Sequence, residues 1–139
     1  ILANGRPLSV PWLEANVPAI LETWYLGVQM GPAVADVLFG DVNPGGKLPI
    51  SFPRTVGQVP VYYNHKNTGR PPVGEERYTS KYIDVPWTPL YPFGHGLSYT
   101  TFSYDAPTLS ASELAMGDSL VVRVTVTNTG SRCLTTATC

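Results

Sequence analysis

Three carboxylates fall close together in one polar stretch of this chain: Glu75 and Glu76, which are adjacent, and Asp84 a little further on. Paired carboxyl groups do acid and base work when a closed pocket drives their pKa values apart. Glu75, Glu76 and Asp84 could take those roles if another chain closed a pocket over them. The competing reading is a solvated charge cluster, because Asp and Glu are mostly exposed. His65, which titrates near neutrality, could serve as a base. Neither His65 nor His95 has a Ser or Cys beside it in a recognisable nucleophile setting. Gly96-Leu97-Ser98-Tyr99 lacks the second glycine of a Gly-x-Ser-x-Gly elbow. His95 sits in a tight glycine turn and reads as a packing or hydrogen-bonding residue. Asp36 and Asp41 flank the end of an expected helix, and the simpler role for both is to organise that end.

The elements that must position these groups follow from periodicity and turn chemistry. From residue 64 to residue 89 periodicity disappears, and Asn, Lys, Gly, Arg, Pro, Glu and Tyr accumulate over more length than most connections need. Tyr78, Tyr82 and Trp87 within it argue for an ordered surface loop, the best candidate for a ligand-facing rim. Upstream, residues 29–53 (QMGPAVADVLFGDVNPGGKLPISFP) hold the densest signal. Pro32 suits a first helical turn, and Ala33, Val34, Val37 and Leu38 recur at helical spacing as one apolar stripe. Gly40 can close that helix, Asn43-Pro44-Gly45-Gly46 is turn chemistry, and Leu48, Ile50 and Phe52 alternate with Pro49 and Ser51 like a half-buried edge strand. The spacing also predicts a strand end over residues 1–4, a short strand within residues 15–25 with Trp24 buried, and an extended piece over residues 59–63. Past Tyr99 the composition changes. Leu97 to Tyr104 alternates, and Leu120, Val122, Val124 and Val126 share one face of a run opposed by Val121, Arg123, Thr125 and Thr127, as in a sandwich strand with one wet side.

Length and composition narrow the classes. The chain has 139 residues, 43% of them hydrophobic, with nine Lys plus Arg against ten Asp plus Glu. That is enough for one modest core, provides no basic face for nucleic acid, and leaves no apolar run of about 20 residues for a membrane span. Ile1-Leu2-Ala3-Asn4-Gly5 lacks the pattern of a signal peptide, and the chain reads as an excerpt. Cys133 and Cys139 lie in a Thr-rich tail without a His cluster, so no metal is expected; their redox state is left open. The glycines do not fall in a phosphate-cradling order, so no nucleotide and no cofactor are expected.

Four runs in order carry a family resemblance: Asn4-Gly5-Arg6-Pro7-Leu8; residues 35–41 with Asn43-Pro44 and Gly46-Lys47-Leu48-Pro49; residues 62–71 (YYNHKNTGRP); and residues 91–100 (YPFGHGLSYT). Together they resemble glycoside hydrolase family 3, the β-glucosidase and β-xylosidase group, and most of all its bacterial periplasmic branch. The resemblance implies an α/β fold in two parts: residues 1–98 as the C-terminal part of the family's α/β sandwich domain, a mixed sheet with helices, and residues 99–132 as the first strands of a fibronectin type III-like β-sandwich. Residues 133–139 form a tail unlike the family. It implies hydrolysis of terminal, non-reducing β-D-glucosyl residues with retention, which needs two carboxyls roughly 5 to 5.5 Å apart.

Those two carboxyls belong to motifs that this chain does not contain, so neither catalytic role transfers to a residue here. In the family the loop carrying His65, Lys66, Asn67 and Arg70 looks toward the active-site region, which makes these four the candidate substrate contacts. Tyrosines and tryptophans there could stack on sugar faces. The expected partner is a β-glucoside or short oligosaccharide, and the full-length family relative is periplasmic or secreted. An α/β domain with an open strand edge and an uncovered apolar face also predicts a homo-oligomer. Two other readings remain: a stand-alone hydrolase whose site is assembled across chains, and a non-catalytic sugar-binding or assembly module.

Overall fold

The computed structural model describes residues 1–74 and 76–132. Glu75, the two cysteines and the reading of residues 133–139 therefore lie outside the described residues. In chain order the elements are α1 (Pro11–Asn16), α2 (Met30–Phe39), a 3-10 turn at Val56–Gln58, β1 (Phe102–Tyr104), β2 (Thr108–Leu109), β3 (Val122–Arg123) and β4 (Val126–Asn128). Two helices and short antiparallel pairs make a partial α/β arrangement. The chain divides into two compact units, one built from Ile1–Ala35 and Gly46–Leu97, the other from Asp36–Gly45 and, among the described residues, 98–132.

In the first unit the chain start pairs in parallel with the segment before Trp24. Leu2 N–H donates to Leu21 O at 2.8 Å and Thr23 N–H to Leu2 O at 2.9 Å, a bridge of Leu2 with Glu22. The expected strand within residues 15–25 is confined to that bridge, because α1 occupies the chain through Asn16. Pro11, with φ already fixed near the helical value, opens α1; Pro18 has no N–H to continue a helix or join a ladder. Trp24 is half-buried rather than buried, at φ +55°, with its ring 5.9 Å from Phe52.

Phe52, only 2% exposed, is the centre of this unit, with Tyr91 edge-on at 6.3 Å on another side. It is held there by backbone pairing of residues 48–52 with residues 90–95. Phe52 N–H donates to Tyr91 O, Leu90 N–H to Phe52 O, Leu48 N–H to His95 O and Gly94 N–H to Leu48 O, each at 2.8 Å. The predicted alternation holds at Phe52 and fails beside it: Ile50 is exposed and Ser51 is buried. Ser51 is tolerated inside because its hydroxyl accepts the Phe93 N–H at 3.1 Å, so its polar atom is not left unpaired. Residues 59–63 form no strand, and Val59, Tyr62 and Tyr63 are exposed.

Helix α2 starts two residues before Pro32 and ends at Gly40, whose φ of +85° is the left-handed closure that glycine allows. Its stripe is covered only in part: Val34 and Val37 are half-buried, while Ala33, Leu38 and Phe39 are exposed. In the second unit Val42 N–H donates to the main-chain oxygen of Asp36 at 3.0 Å. It is thus a carbonyl, not the expected carboxylates of Asp36 and Asp41, that closes this end. Arg132 adds a bond to Gly40 O at 3.1 Å, and Tyr99 Oη donates to Val37 O at 2.9 Å. The side-chain oxygen of Asn43 accepts both Tyr99 N–H at 2.7 Å and Ser98 Oγ–H at 3.0 Å.

The run read as one strand over residues 119–128 is broken in two. β4 pairs antiparallel with β1 in the register Tyr104↔Val126, and β3 with β2 in the register Thr108↔Arg123. Between these pairs, residues 105–107 oppose only residues 124–125, so the ribbon carries an extra residue, as in a β-bulge. Pro107 lies in the longer arm and has no N–H to give a ladder there. Nor is one face dry: Leu120, Val122, Val124 and Val126 are 40 to 57% exposed, much as Val121 is at 46%. Both faces are therefore only about half covered among the described residues.

Candidate functional site

The loop of residues 59–89 is fastened by one buried amide. Gln58, 2% exposed at the end of the 3-10 turn, takes the Arg54 N–H on its Oε1 and donates Nε2 to Pro86 O at 2.7 Å and Thr88 O at 3.3 Å. Arg54 reinforces the same point, its Nε donating to Thr88 O at 3.0 Å while its own carbonyl accepts Ser9 Oγ–H at 2.6 Å. The two limbs of the loop are tied further out. Ser80 N–H donates to Arg70 O at 2.8 Å, the Thr68 and Ser80 hydroxyls lie 2.6 Å apart, and Lys81 Nζ donates to Gly74 O at 2.7 Å.

A cleft of about 330 Å³ opens between these limbs, lined by Gln58, Pro60, Val61, Tyr62, His65, Ser80, Lys81, Tyr82, Trp87 and Pro89. Trp87 and Tyr82 are roughly half-exposed, and the His65 ring lies 6.3 Å from that of Trp87. The wall therefore offers flat apolar rings beside an imidazole, an ammonium and a hydroxyl. Such a surface suits a ligand with apolar faces and hydroxyl edges.

Of the candidate contacts, the structure brings His65 to this cleft. Lys66, Asn67 and Arg70 are exposed and outside its lining, and Arg70 contributes through its main chain. Glu76 and Asp84 are exposed and line no part of it; the Thr79 hydroxyl donates to the main-chain oxygen of Glu76 at 3.0 Å. His95 packs as expected, stacked on Tyr91 with ring centroids 4.9 Å apart. Burial, helped by the nearby charge of Glu14, pushes the Tyr91 phenol above its ordinary pKa. Sequence reasoning missed Gln58, Tyr62 and Lys81. A Gln before a Val-Pro pair has no distinctive pattern, and Lys81 looks like any loop cation.

The cleft lining contains no carboxylate among the described residues. Among the described residues no group of three His, Cys, Asp or Glu is placed to hold a metal ion. No helix of the described residues is long and apolar enough to cross a membrane.

The class these features define is a partial α/β domain. The family model for the glycosyl hydrolase family 3 C-terminal domain matches residues 1–99, and the chain belongs to that family. It is 56% identical over 134 residues to the periplasmic beta-glucosidase of Salmonella typhimurium, covering 95% of this chain and 18% of that protein. It is 52% identical to a beta-xylosidase of Formosa agariphila, covering 94% of this chain and 17% of the relative. The crystal structure of a beta-glucosidase from Listeria innocua in complex with glucose superposes with a TM-score of 0.85 at 49% identity, over 91% of this chain and 18% of that one. A mutant of the Listeria innocua beta-glucosidase has also been crystallised with laminaribiose. The chain thus spans less than a fifth of the length of these relatives.

Proposed function

We propose that this chain is the C-terminal-domain portion of a β-glucosidase whose whole form hydrolyses terminal, non-reducing β-D-glucosyl residues with retention. The observation that carries the reading is 56% identity to a periplasmic beta-glucosidase over almost the whole chain. In this reading residues 1–98 complete part of the α/β sandwich domain. Residues 99–132, with the bulged ribbon of β1 to β4, open a fibronectin type III-like β-sandwich. The 59–89 loop is a sugar-facing rim in which His65 and Trp87 meet the ligand in the cleft, and Lys66, Asn67 and Arg70 act at its outer edge. Both catalytic carboxyls come from the rest of the enzyme, so Glu75, Glu76 and Asp84 are not catalytic.

The test is a graft of the 139 residues into the Salmonella typhimurium enzyme in place of its matching segment. Aryl β-glucoside turnover should persist, Glu75→Gln, Glu76→Gln and Asp84→Asn should leave it unchanged, and His65→Ala or Trp87→Ala should raise KM more than they lower kcat. A folded but inactive graft would refute the functional reading; an unchanged KM in both cleft variants would refute the rim. The exposed Leu120, Val121, Val122, Val124 and Val126 in and around β3 and β4 also support self-association of the isolated chain into a homo-oligomer. A monomer mass by light scattering across the micromolar range would remove that proposal.

A further inference from the structure

The ribbon of β1 to β4 has no dry face among the described residues to fix its alignment. In a sheet with one buried face, a slip of one residue would turn every inward apolar side chain to water, and that penalty holds the register. Here the penalty is small: Val122, Val124 and Val126 are 49 to 57% exposed on one side, and Val121 is 46% exposed on the other. The pairing is nevertheless definite, with Phe102, Ser103 and Tyr104 opposite Asn128, Thr127 and Val126. Beside it lies a set of polar bonds that fits one alignment. Thr100, only 7% exposed, donates its hydroxyl to Asn128 Oδ1 at 2.6 Å, and the same oxygen accepts Gly130 N–H at 3.1 Å. The Thr101 and Thr129 hydroxyls lie 3.1 Å apart, and Thr129 N–H donates to Thr101 O at 2.9 Å. Gly130 passes so close to the Thr100 side chain that a Cβ on it would stand 2.8 Å from Thr101 N, so glycine lets the two arms meet here.

Each arm is also tied to the end of helix α2. On one arm Tyr99 Oη donates to Val37 O at 2.9 Å, and Tyr99 N–H and Ser98 Oγ–H share Asn43 Oδ1. On the other, Arg132 donates to Gly40 O at 3.1 Å, its guanidinium 5.9 Å from the centre of the Tyr99 ring. The last carbonyls of a helix lack intrahelical donors and carry the negative end of its dipole, so a phenol O–H and a guanidinium are the complementary groups. Asn128 Nδ2 donates to Arg132 O at 2.8 Å, which binds residues 128–132 into one stiff piece. We infer that the end of α2 is the template that sets the register of the ribbon, with Tyr99 placing one arm and Arg132 the other. A slip of one residue shifts the arms by about 3.3 Å and puts Asn128 on the opposite face. That breaks its bond to Thr100, parts Thr101 from Thr129, and carries Arg132 away from Gly40 O together with Asn128. The inference stands apart from the sugar-facing role of the cleft.

Disulfide formation reads the register directly, because two cysteines close only when their main chains stand opposite. In a Cys133→Ser and Cys139→Ser background, Tyr104→Cys is combined in turn with Val124→Cys, Thr125→Cys, Val126→Cys or Thr127→Cys. Each pair is equilibrated with glutathione to give its effective concentration. The pair with Val126→Cys, whose main chains face each other, should dominate. Adding Arg132→Ala and Tyr99→Phe, which cut both ties to α2, should lower it by roughly tenfold or more and raise at least one neighbouring pair. Adding Val122→Thr, which thins the apolar surface without touching α2, should leave it within about twofold. No change on cutting the ties would overturn the inference, as would a larger fall with Val122→Thr, which would give the register to apolar packing. Loss of the aligned pair with no gain in any neighbour would also overturn it, since α2 would then hold the arms together without choosing their alignment.

Discussion

Replacing Gln58 by Leu removes the fastening of the cleft loop while keeping nearly the same volume, so little of the effect comes from a cavity. Three hydrogen bonds disappear: Arg54 N–H to Oε1, and Nε2 to Pro86 O and to Thr88 O. Thr88 O keeps the Arg54 Nε donor, so the groups left bare are Arg54 N–H and Pro86 O. Arg54 is half-buried and Pro86 exposed, so water re-solvates part of what is left bare and the loss sits toward the low end of the about 1–3 kcal/mol per orphaned group, about 2–4 kcal/mol in all. Burial of a leucine at this fully covered position offsets about 1.5–3 kcal/mol if the loop stays closed. The midpoints of the two ranges leave a net loss of about 1 kcal/mol, to be set against the about 5–15 kcal/mol that ordinarily holds a domain together. Urea denaturation gives the stability, and the emission of Trp87, in a Trp12→Phe and Trp24→Phe background, reports whether the loop stays seated. A red-shifted Trp87 together with the loss of stability is expected. A Gln58→Leu chain within 0.5 kcal/mol of the parent (a threshold of about the size of ordinary surface effects) and with unshifted emission would refute the argument that this amide fastens the loop.

Two other perturbations test the packing around the cleft and the second unit. Asn43→Ala leaves Tyr99 N–H and Ser98 Oγ without their shared acceptor and should cost about 1–2 kcal/mol, read by the same denaturation, whereas Ser98→Ala, which spares the Tyr99 bond, should cost less. Tyr91 carries a pH signature: its phenol pKa is raised in the folded chain, so the native state holds the proton more tightly than the unfolded chain does. Its contribution to stability is complete below the ordinary phenol pKa of about 10 and is lost as pH rises through the higher folded value. The parent minus Tyr91→Phe difference in stability should therefore be flat from neutral pH to about 10 and fall above it; a difference that grows with pH would refute the burial of the phenol.

What could be read from the sequence depended on whether one local rule dominated. Helix α2 was legible because Pro32, the apolar spacing and Gly40 agree, and each acts within a few residues. The strand over residues 119–128 was legible as extended chain and not as one strand, because its interruption is set by Pro107, which lies on the other arm of the ribbon. Periodicity within a single segment has no access to its partner. The misreading of residues 15–25 has a different cause: Pro18 argued against a helix through that stretch, but the start signal at Pro11 places α1 before it. Ser51 and Ile50 exchange their expected environments because a distant main-chain N–H, that of Phe93, makes burial of the hydroxyl tolerable.

The candidate site divides along the same line. Loss of periodicity and aromatic content identified a loop over residues 64–89, with residues 59–63 read apart from it as an extended piece, and the family runs pointed to its first limb, His65 to Arg70. The structure, however, draws the cleft from both limbs and from the residue before the loop. Lys81 and Tyr82 reach it because Ser80 is bonded back to Arg70 and Thr68, and Trp87 stands over it because Gln58 and Arg54 hold residues 86–88. A loop displays side chains according to where its main chain is tied, and those ties run between residues far apart in sequence. Lys66, Asn67 and Arg70 carry the suitable chemistry, yet only the tied positions have the geometry to line the cleft. It follows that ligand affinity in this region should respond to Gln58, whose amide is spent on main-chain groups, as well as to Trp87 on the cleft wall.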